Sequence, residues 1–281
     1  MSFIKRKSKS KKRAVLKYVL ILLLLGVIIL PFYWIFISSV KPTDELIRAI
    51  PTFVPEKWTV NHYSNLFAAS DYGQYLWNSF YVAFWTMLIT VILASLGGYS
   101  IYRCSYPGKN LISKLILVAY IFPQVLILIP LYKVMSSFSL INNLWSLIII
   151  NVTICAPFGV WLLKTFFGTI PMAIEEAAAI DGASQFKTLY KIFIPLAAPG
   201  MATVAIYAFL TSWTEFLFAN TFILDEELKT LPVGLARFIT QYNVDWGLLT
   251  AGAMVTAIPP LVFFAFVGKN FVKGLTTGAI K

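Results

Sequence analysis

One histidine and two cysteines in 281 residues leave little room for metal or disulfide chemistry. His62 stands alone, which excludes a histidine-built metal centre and reads as an ordinary loop residue. Cys104 falls in a loop and Cys155 inside an apolar run, so neither a disulfide scaffold nor a metal site is implied. No G-x-x-x-x-G-K-[ST] loop is present, so the chain has no such cradle for ATP phosphates. Paired carboxylates within apolar runs and nucleophile motifs are also missing, which removes support for a membrane-embedded enzyme. Charge itself is scarce. Acidic and basic residues make up 12% of the chain, about half the share of a soluble domain. Hydrophobic residues fill 59% of it, and the mean hydropathy is +0.77. The length therefore goes into membrane spans rather than a globular core.

The net charge of +11 is unevenly placed. Lys5, Arg6, Lys7, Lys9, Lys11, Lys12, Arg13 and Lys17 crowd the start, directly before an apolar run. No folded basic domain follows, which argues against nucleic acid as a partner. The arrangement reads as an inner-face anchor to anionic lipid, at about 1 kcal/mol per basic residue near the surface. The run Val15–Val40 is too long for a signal-peptide core and lacks a small-residue cleavage site, so an uncleaved first span is expected.

Six apolar stretches approach the roughly 20 residues that a helix needs to cross a bilayer. They are Tyr18–Val40, Ser79–Tyr102, Leu111–Leu131, Leu144–Leu163, Ala197–Phe222 and Leu248–Val267. Backbone groups in lipid must be satisfied within the segment, so helices are expected. The third is the weakest, with Lys114 near its start, free to snorkel, and Pro123 and Pro130 within. Pro123, Pro157, Pro259 and Pro260 are expected to kink their helices. The intervening loops alternate in charge. One side carries the basic tail, Arg103, Lys109, Lys114, Lys164, Lys187, Lys191, Lys269, Lys273 and Lys281, against only Glu175, Glu176 and Asp181. The other side is acidic on balance, with Asp44, Glu45, Glu56, Asp71, Glu226 and Asp245 among its charges. The positive-inside rule then places both termini in the cytoplasm. Tyr33, Trp34, Trp77, Tyr81, Trp145 and Trp161 sit near span ends as interface anchors. No internal repeat supports an inverted-repeat carrier.

The one polar, helix-capable segment between long spans is Glu175–Pro199. Met172–Ile180 is rich in Ala and Glu and predicts a helix that starts after Thr169 and Pro171. Ile174, Ala177, Ala178 and Asp181 share one face by spacing. Gly182 offers a left-handed turn. Ser184 caps a second helix, on which Phe186, Leu189, Tyr190 and Phe193 share a face. An interfacial hairpin lying on lipid should be basic on its polar face, whereas the first helix is acidic. Ala-rich and acidic, it suits docking into a protein groove.

In pattern form the segment is E-A-A-x3-G-x9-I-x-I-P, running from Glu176 to Pro195. This resembles the signature loop of the permease subunits of bacterial binding-protein-dependent ABC importers. Pro157–Ser184, Ser38–Leu46, Trp77–Phe80, Ser212–Ala219 and Phe271–Lys281 extend the resemblance over nearly the whole chain, to the smaller maltose-type subunit of the carbohydrate-uptake branch. Three departures are noted: Ile194 stands where the family usually has Leu, Ala173 where it often has Glu, and Thr214 where it often has Asn.

The resemblance implies an all-α membrane protein with six transmembrane helices and the type I ABC importer permease fold, in a bacterial cytoplasmic membrane. Residues 1–70 would hold the basic tail, the first span and an extracytoplasmic segment. Residues 71–270 would form a five-helix permease core with the coupling loop 168–195, and residues 271–281 a cytoplasmic tail. It implies a sugar or oligosaccharide as cargo, delivered by an extracytoplasmic binding protein, and a second permease subunit. It also implies a pair of ATPase subunits that hold the ATP and Mg, with no cofactor and no enzyme activity on this chain. Glu175, Glu176, Ala177, Ala178, Asp181 and Gly182 would couple to the ATPase. An importer permease for a non-sugar solute, or an ATP-independent secondary transporter, are the alternatives.

Glu215 is the only acid placed deep in an apolar run. A charge at the bilayer centre costs about 2.5–3.5 kcal/mol on insertion scales, so it should face a wet cavity or a partner. With Trp213 and Thr214 it offers an aromatic face and hydroxyl-matching groups for a sugar, or a structural hydrogen bond to a neighbouring helix or subunit. Gln124, Asn151 and Thr153 read as interhelical glue.

Overall fold

The computed structural model describes residues 2–278 apart from 69 and 241, with side chains over residues 16–268. The side chains of the basic tail from Lys5 to Arg13, and those of Lys269, Lys273 and Phe271–Lys281, lie outside the described residues. Among the described residues fourteen α-helices follow one another: α1 (Ser2–Ser39), α2 (Thr43–Leu46), α3 (Asn61–Ala68), α4 (Tyr72–Arg103), α5 (Lys109–Ile121), α6 (Gln124–Ser137), α7 (Leu144–Gly168), α8 (Met172–Ile180), α9 (Gln185–Thr188), α10 (Ile194–Leu196), α11 (Ala198–Trp213), α12 (Leu217–Phe222), α13 (Leu231–Ala236) and α14 (Trp246–Gly278). A π turn, Leu189–Phe193, joins α9 to α10. The only β pairing among the described residues is an isolated bridge, Ile239 to Val244. The chain is an all-helical membrane protein.

Among the described residues four helices are long and apolar enough to cross a bilayer alone: Leu16–Ser39, Tyr72–Arg103, Leu144–Gly168 and Trp246–Gly268. The count reaches six if each of two bent pairs is one span. The third apolar stretch is one of these pairs. Its helices α5 and α6 meet at 103° instead of forming one helix. Pro123 has no N–H to donate and forces Phe122 into extended backbone (φ −68, ψ 131). Pro157, Pro259 and Pro260, by contrast, lie inside helices whose assignment runs on through them. The fifth stretch is also divided. The chain bends by 78° at Ala197, and α11 stops at Trp213, three residues before α12.

Packing divides the chain into two units, Met1–Ser70 with Phe238–Val255, and Asp71–Arg237 with Thr256–Lys281. In the first, the described side chains of α1, from Leu16 on, are mostly exposed and are buried only at Ile37, Ser38 and Ser39. Beyond it Lys41 is buried, its ammonium bonded to the Thr52 carbonyl and 5.2 Å from the Trp34 ring. Glu45, also buried, accepts from the Thr52 hydroxyl and the Glu56 N–H. His62 is not a loop residue. It is a buried member of α3 whose Nε2 lies 2.7 Å from the Lys41 carbonyl. Its imidazole occupies the space that a side chain at Gly247 would need.

In the second unit α4, α7 and α11 pack into the core. Thr86, Thr90, Ala94 and Gly98 repeat every four residues on α4 and are all buried, so one stripe of small side chains faces inward. A Cβ at Gly98 would come 2.9 Å from the Lys164 backbone, and one at Gly159 would come 2.9 Å from the Ala94 Cβ. Close approach of helices through small residues is how apolar helices gain contact where lipid offers no hydrophobic driving force. Asn151 donates to the Ser212 hydroxyl at 3.2 Å, the interhelical bond expected of it.

Candidate functional site

The segment after α7 folds as a helix, a glycine turn and a second helix. Thr169 closes α7 by donating its hydroxyl to the Phe166 carbonyl, and Pro171 stands at the N-cap of α8. Ala-rich sequence then propagates the helix, and Glu175 in its first turn complements the positive helix end. Gly182 adopts φ +73. Its N–H bonds to the Ala179 carbonyl at 3.0 Å, and the Ala183 N–H reaches back to Ala178 at 2.9 Å. This is the Schellman arrangement, which needs a left-handed residue at the turn. Ser184 caps α9, its hydroxyl accepting from the Lys187 N–H at 3.3 Å.

The expected face of the second helix divides. Leu189 and Phe193 are buried, while Phe186 (71% exposed) and Tyr190 (65%) point outward. The π turn Leu189–Phe193 breaks the 3.6-residue register on which a single face depends. On α8, Met172 (64%) and Ile180 (87%) are likewise open, as are Glu176, Ala177, Asp181 and Gly182. Four large apolar side chains thus stand exposed on one short elbow.

Two of the expected coupling residues turn the other way. Ala178 is buried, and Glu175 is only partly exposed. The Glu175 carboxylate lies 3.2 Å from the Arg103 guanidinium, with the Tyr99 hydroxyl at 3.4 Å. Arg103 also donates to the Ile170 carbonyl at 2.7 Å and lies over the rings of Tyr102 and Phe193 at 4.8 and 4.9 Å. One guanidinium thus ties together the end of α4, the link before α8, α8 itself and the π turn. From sequence Arg103 counts only as one more inner-side charge. The signal available is that Glu175, unlike Glu176, lies beside Ile174 and Ala178 on the helix.

The three residues proposed for the substrate pathway do not form one surface. Trp213 is buried, stacked on Phe209 at 5.5 Å, and donates its indole N–H to the Thr256 carbonyl at 3.2 Å. Thr214 is exposed and bonds back to the Leu210 carbonyl at 2.9 Å. The Glu215 carboxylate accepts from the N–H groups of Phe218 (2.7 Å) and Ala219 (2.9 Å). It satisfies the free donors that begin α12, which is why the chain breaks and restarts there. Its partner is its own helix rather than a neighbouring one.

A cavity of about 250 Å³ lies instead where α5 breaks into α6, lined by Tyr120, Gln124, Thr153 and Tyr207 among others. Among the described residues neither Gln124 nor Thr153 makes the interhelical hydrogen bond expected of it. Gln124 is exposed, and Thr153 bonds to the Ile149 carbonyl of its own helix at 2.8 Å. The Tyr207 ring packs 4.3 Å from Phe158.

Residues 102–275, which contain the elbow and this cavity, match the family of binding-protein-dependent transport system inner membrane components. The chain belongs to this family of ABC importer permeases. It is 33% identical to the inner membrane ABC transporter permease protein YcjP of Escherichia coli, over 92% of this chain and 93% of that one. It is also 33% identical to the trehalose transport system permease protein SugB of Mycobacterium tuberculosis (96% and 98%). The diacetylchitobiose uptake system permease protein NgcG of Streptomyces coelicolor is 30% identical (98% and 91%). Among solved structures, a chain of a bacterial ABC transporter that imports the acidic polysaccharide alginate superposes with a TM-score of 0.82 at 21% identity, over 94% of this chain and 98% of that one. The fold is that of an ABC importer permease.

Proposed function

We propose that this chain is the membrane-spanning permease subunit of an ATP-driven importer of a sugar or oligosaccharide. The observation that carries the reading is the elbow α8–Gly182–α9, which shows Met172, Ile180, Phe186 and Tyr190 to solvent and is braced from behind by Arg103. Trehalose and diacetylchitobiose uptake by relatives supports a sugar as cargo.

In this reading six spans cross a bacterial cytoplasmic membrane with both termini inside, as the basic-inside loop charges require. Glu176, Ala177, Asp181 and Gly182 meet an ATPase subunit directly. Glu175 and Ala178 hold the elbow to the bundle. ATP and Mg sit on the ATPase pair, which this chain neither replaces nor duplicates. Closure of that pair carries the elbow, and the bundle moves with it as a rigid body, exposing its cavity alternately to each side. A second permease subunit completes the pore, and an extracytoplasmic binding protein delivers the cargo. The cavity at the α5–α6 break, with its amide, hydroxyl and phenol groups, lines the path.

Gly182→Pro tests this. Proline cannot adopt φ +73 and has no N–H for the Ala179 carbonyl. Insertion into the membrane should be normal, and ATP-driven sugar uptake into proteoliposomes should be lost. Undiminished uptake by the variant refutes the coupling role.

A further inference from the structure

Within the first unit, the segment between α1 and α4 and the start of α14 enclose a cavity of about 470 Å³. That volume falls within the roughly 300–1,000 Å³ of small-molecule sites. Its floor is fixed, because His62 is held by the Lys41 carbonyl and packs against Gly247. The walls carry groups that both donate and accept hydrogen bonds. Asn61 and Asn65 stand one turn apart on α3, and Asn243 comes from the bridged loop. None of these three side-chain amides bonds to another described residue. Asp245 uses one oxygen to cap α14, accepting from the Leu248 N–H at 2.9 Å. Trp246 is half-exposed and adds an indole face. No Lys or Arg lines the cavity.

We infer that this cavity is a binding subsite for a neutral saccharide. Each sugar hydroxyl donates and accepts, which matches primary amides and a carboxylate, and the C–H face of a pyranose ring stacks on an indole. A uronate, phosphate or sulfate would meet the Asp245 carboxylate with no compensating cation, an arrangement that selects against anions. The membrane cavity at the α5–α6 break agrees independently. Its lining likewise offers no Lys or Arg to pair with an anion. The inference rests on the sugar-importer reading and narrows it. In the proposed orientation the subsite faces outward and holds an uncharged cargo.

The test uses the assembled transporter in proteoliposomes and in nanodiscs. Trehalose, diacetylchitobiose and a mannuronate disaccharide are first assayed for uptake with the binding protein present, which examines the importer reading alone. Binding of the same probes to nanodisc complexes without binding protein is then followed by saturation-transfer NMR. A transported neutral disaccharide should bind, and Trp246→Ala and the double variant Asn61→Ala/Asn65→Ala should each weaken binding by about tenfold or more. The mannuronate disaccharide should not compete. Normal complex assembly and basal ATPase rate exclude misfolding of the variants. A transported neutral sugar whose binding is unaltered in both variants overturns the subsite and spares the importer. Equal competition by the mannuronate disaccharide overturns the neutral preference. Loss confined to binding-protein docking makes the cavity a protein contact and overturns the inference. Failure of every probe in both assays overturns the sugar reading and the subsite with it.

Discussion

The guanidinium of Arg103, the last residue of α4, lies 3.2 Å from the carboxylate of Glu175, the fourth residue of α8. Arg103 is 6% exposed and Glu175 24%. The elbow is therefore tied to the end of α4 by this ion pair.

Arg103→Ala removes the brace. Breaking a fully buried pair costs about 3–5 kcal/mol, and the partial exposure of Glu175 lowers the expected loss to roughly 1–3 kcal/mol. ATPase subunits should still associate, but sugar transported per ATP hydrolysed should fall. Reversing both charges, Arg103→Glu with Glu175→Arg, should recover part of that ratio, whereas either reversal alone should not. Coupled uptake and hydrolysis assays on the wild type and these four variants decide it. Equal ratios in wild type and Arg103→Ala would remove the bracing role.

At Gly182 nothing lies within 4 Å of an added Cβ, so substitution there carries a purely conformational cost. The left-handed backbone penalises L-residues by about 1–2 kcal/mol, least for Asn and most for β-branched side chains. Uptake should fall in the order Gly, Asn, Ala, Val. A flat series would mean that the turn does not need its left-handed geometry.

Ile180 and Phe186 are 87% and 71% exposed, so their replacement by Ser should leave the thermal midpoint of the isolated chain nearly unchanged. Docking would bury them, at about 1.5–3 kcal/mol each. Each variant should thus bind the ATPase subunits about tenfold or more weakly, by titration in detergent. Unchanged affinity in both would place the partner elsewhere.

Glu45 gives a pH dependence outside the spans. The Thr52 hydroxyl that it accepts, followed by the backbone N–H groups of Glu56 and Lys57 and the charge of Lys41, holds its carboxyl below the ordinary 4.5, against the opposing effect of burial. A depressed folded value means that the stabilisation is present above 4.5 and is lost as pH falls through the folded value. Acid should therefore open the α1–α4 segment below pH 4.5, and Thr52→Val should move that opening to higher pH. Amide hydrogen exchange at residues 41–57 across an acid series reads it. An unshifted midpoint in Thr52→Val would show that the hydroxyl is not the main cause.

Much of the architecture was legible because its causes are local. Four of the six apolar runs of span length, the helix Met172–Ile180, the turn at Gly182 and the cap at Ser184 appear where side-chain chemistry put them. Reading failed where a residue's fate depends on its surroundings. Glu215 was expected to face a wet cavity or to bond to a neighbouring helix or subunit, and it places its carboxylate on N–H groups of α12, just ahead in its own chain. His62 looked like loop decoration until α14 brought Gly247 against its ring. Phe186 and Leu189 share a face only on an ideal helix, and the π turn is not one.

By itself the sequence determined that this is a helical membrane protein with a polar elbow, since bilayer thickness, backbone hydrogen bonding and the geometry of glycine leave few other outcomes for these residues; that it is a permease rests on likeness to its family. Only the tertiary structure decided that Glu175 faces inward while Glu176 faces out, that α5 and α6 meet at 103°, and which amides line a cavity. Those facts belong to pairs such as Arg103 and Glu175, distant in the chain, and periodicity along one helix carries no information about what stands opposite it.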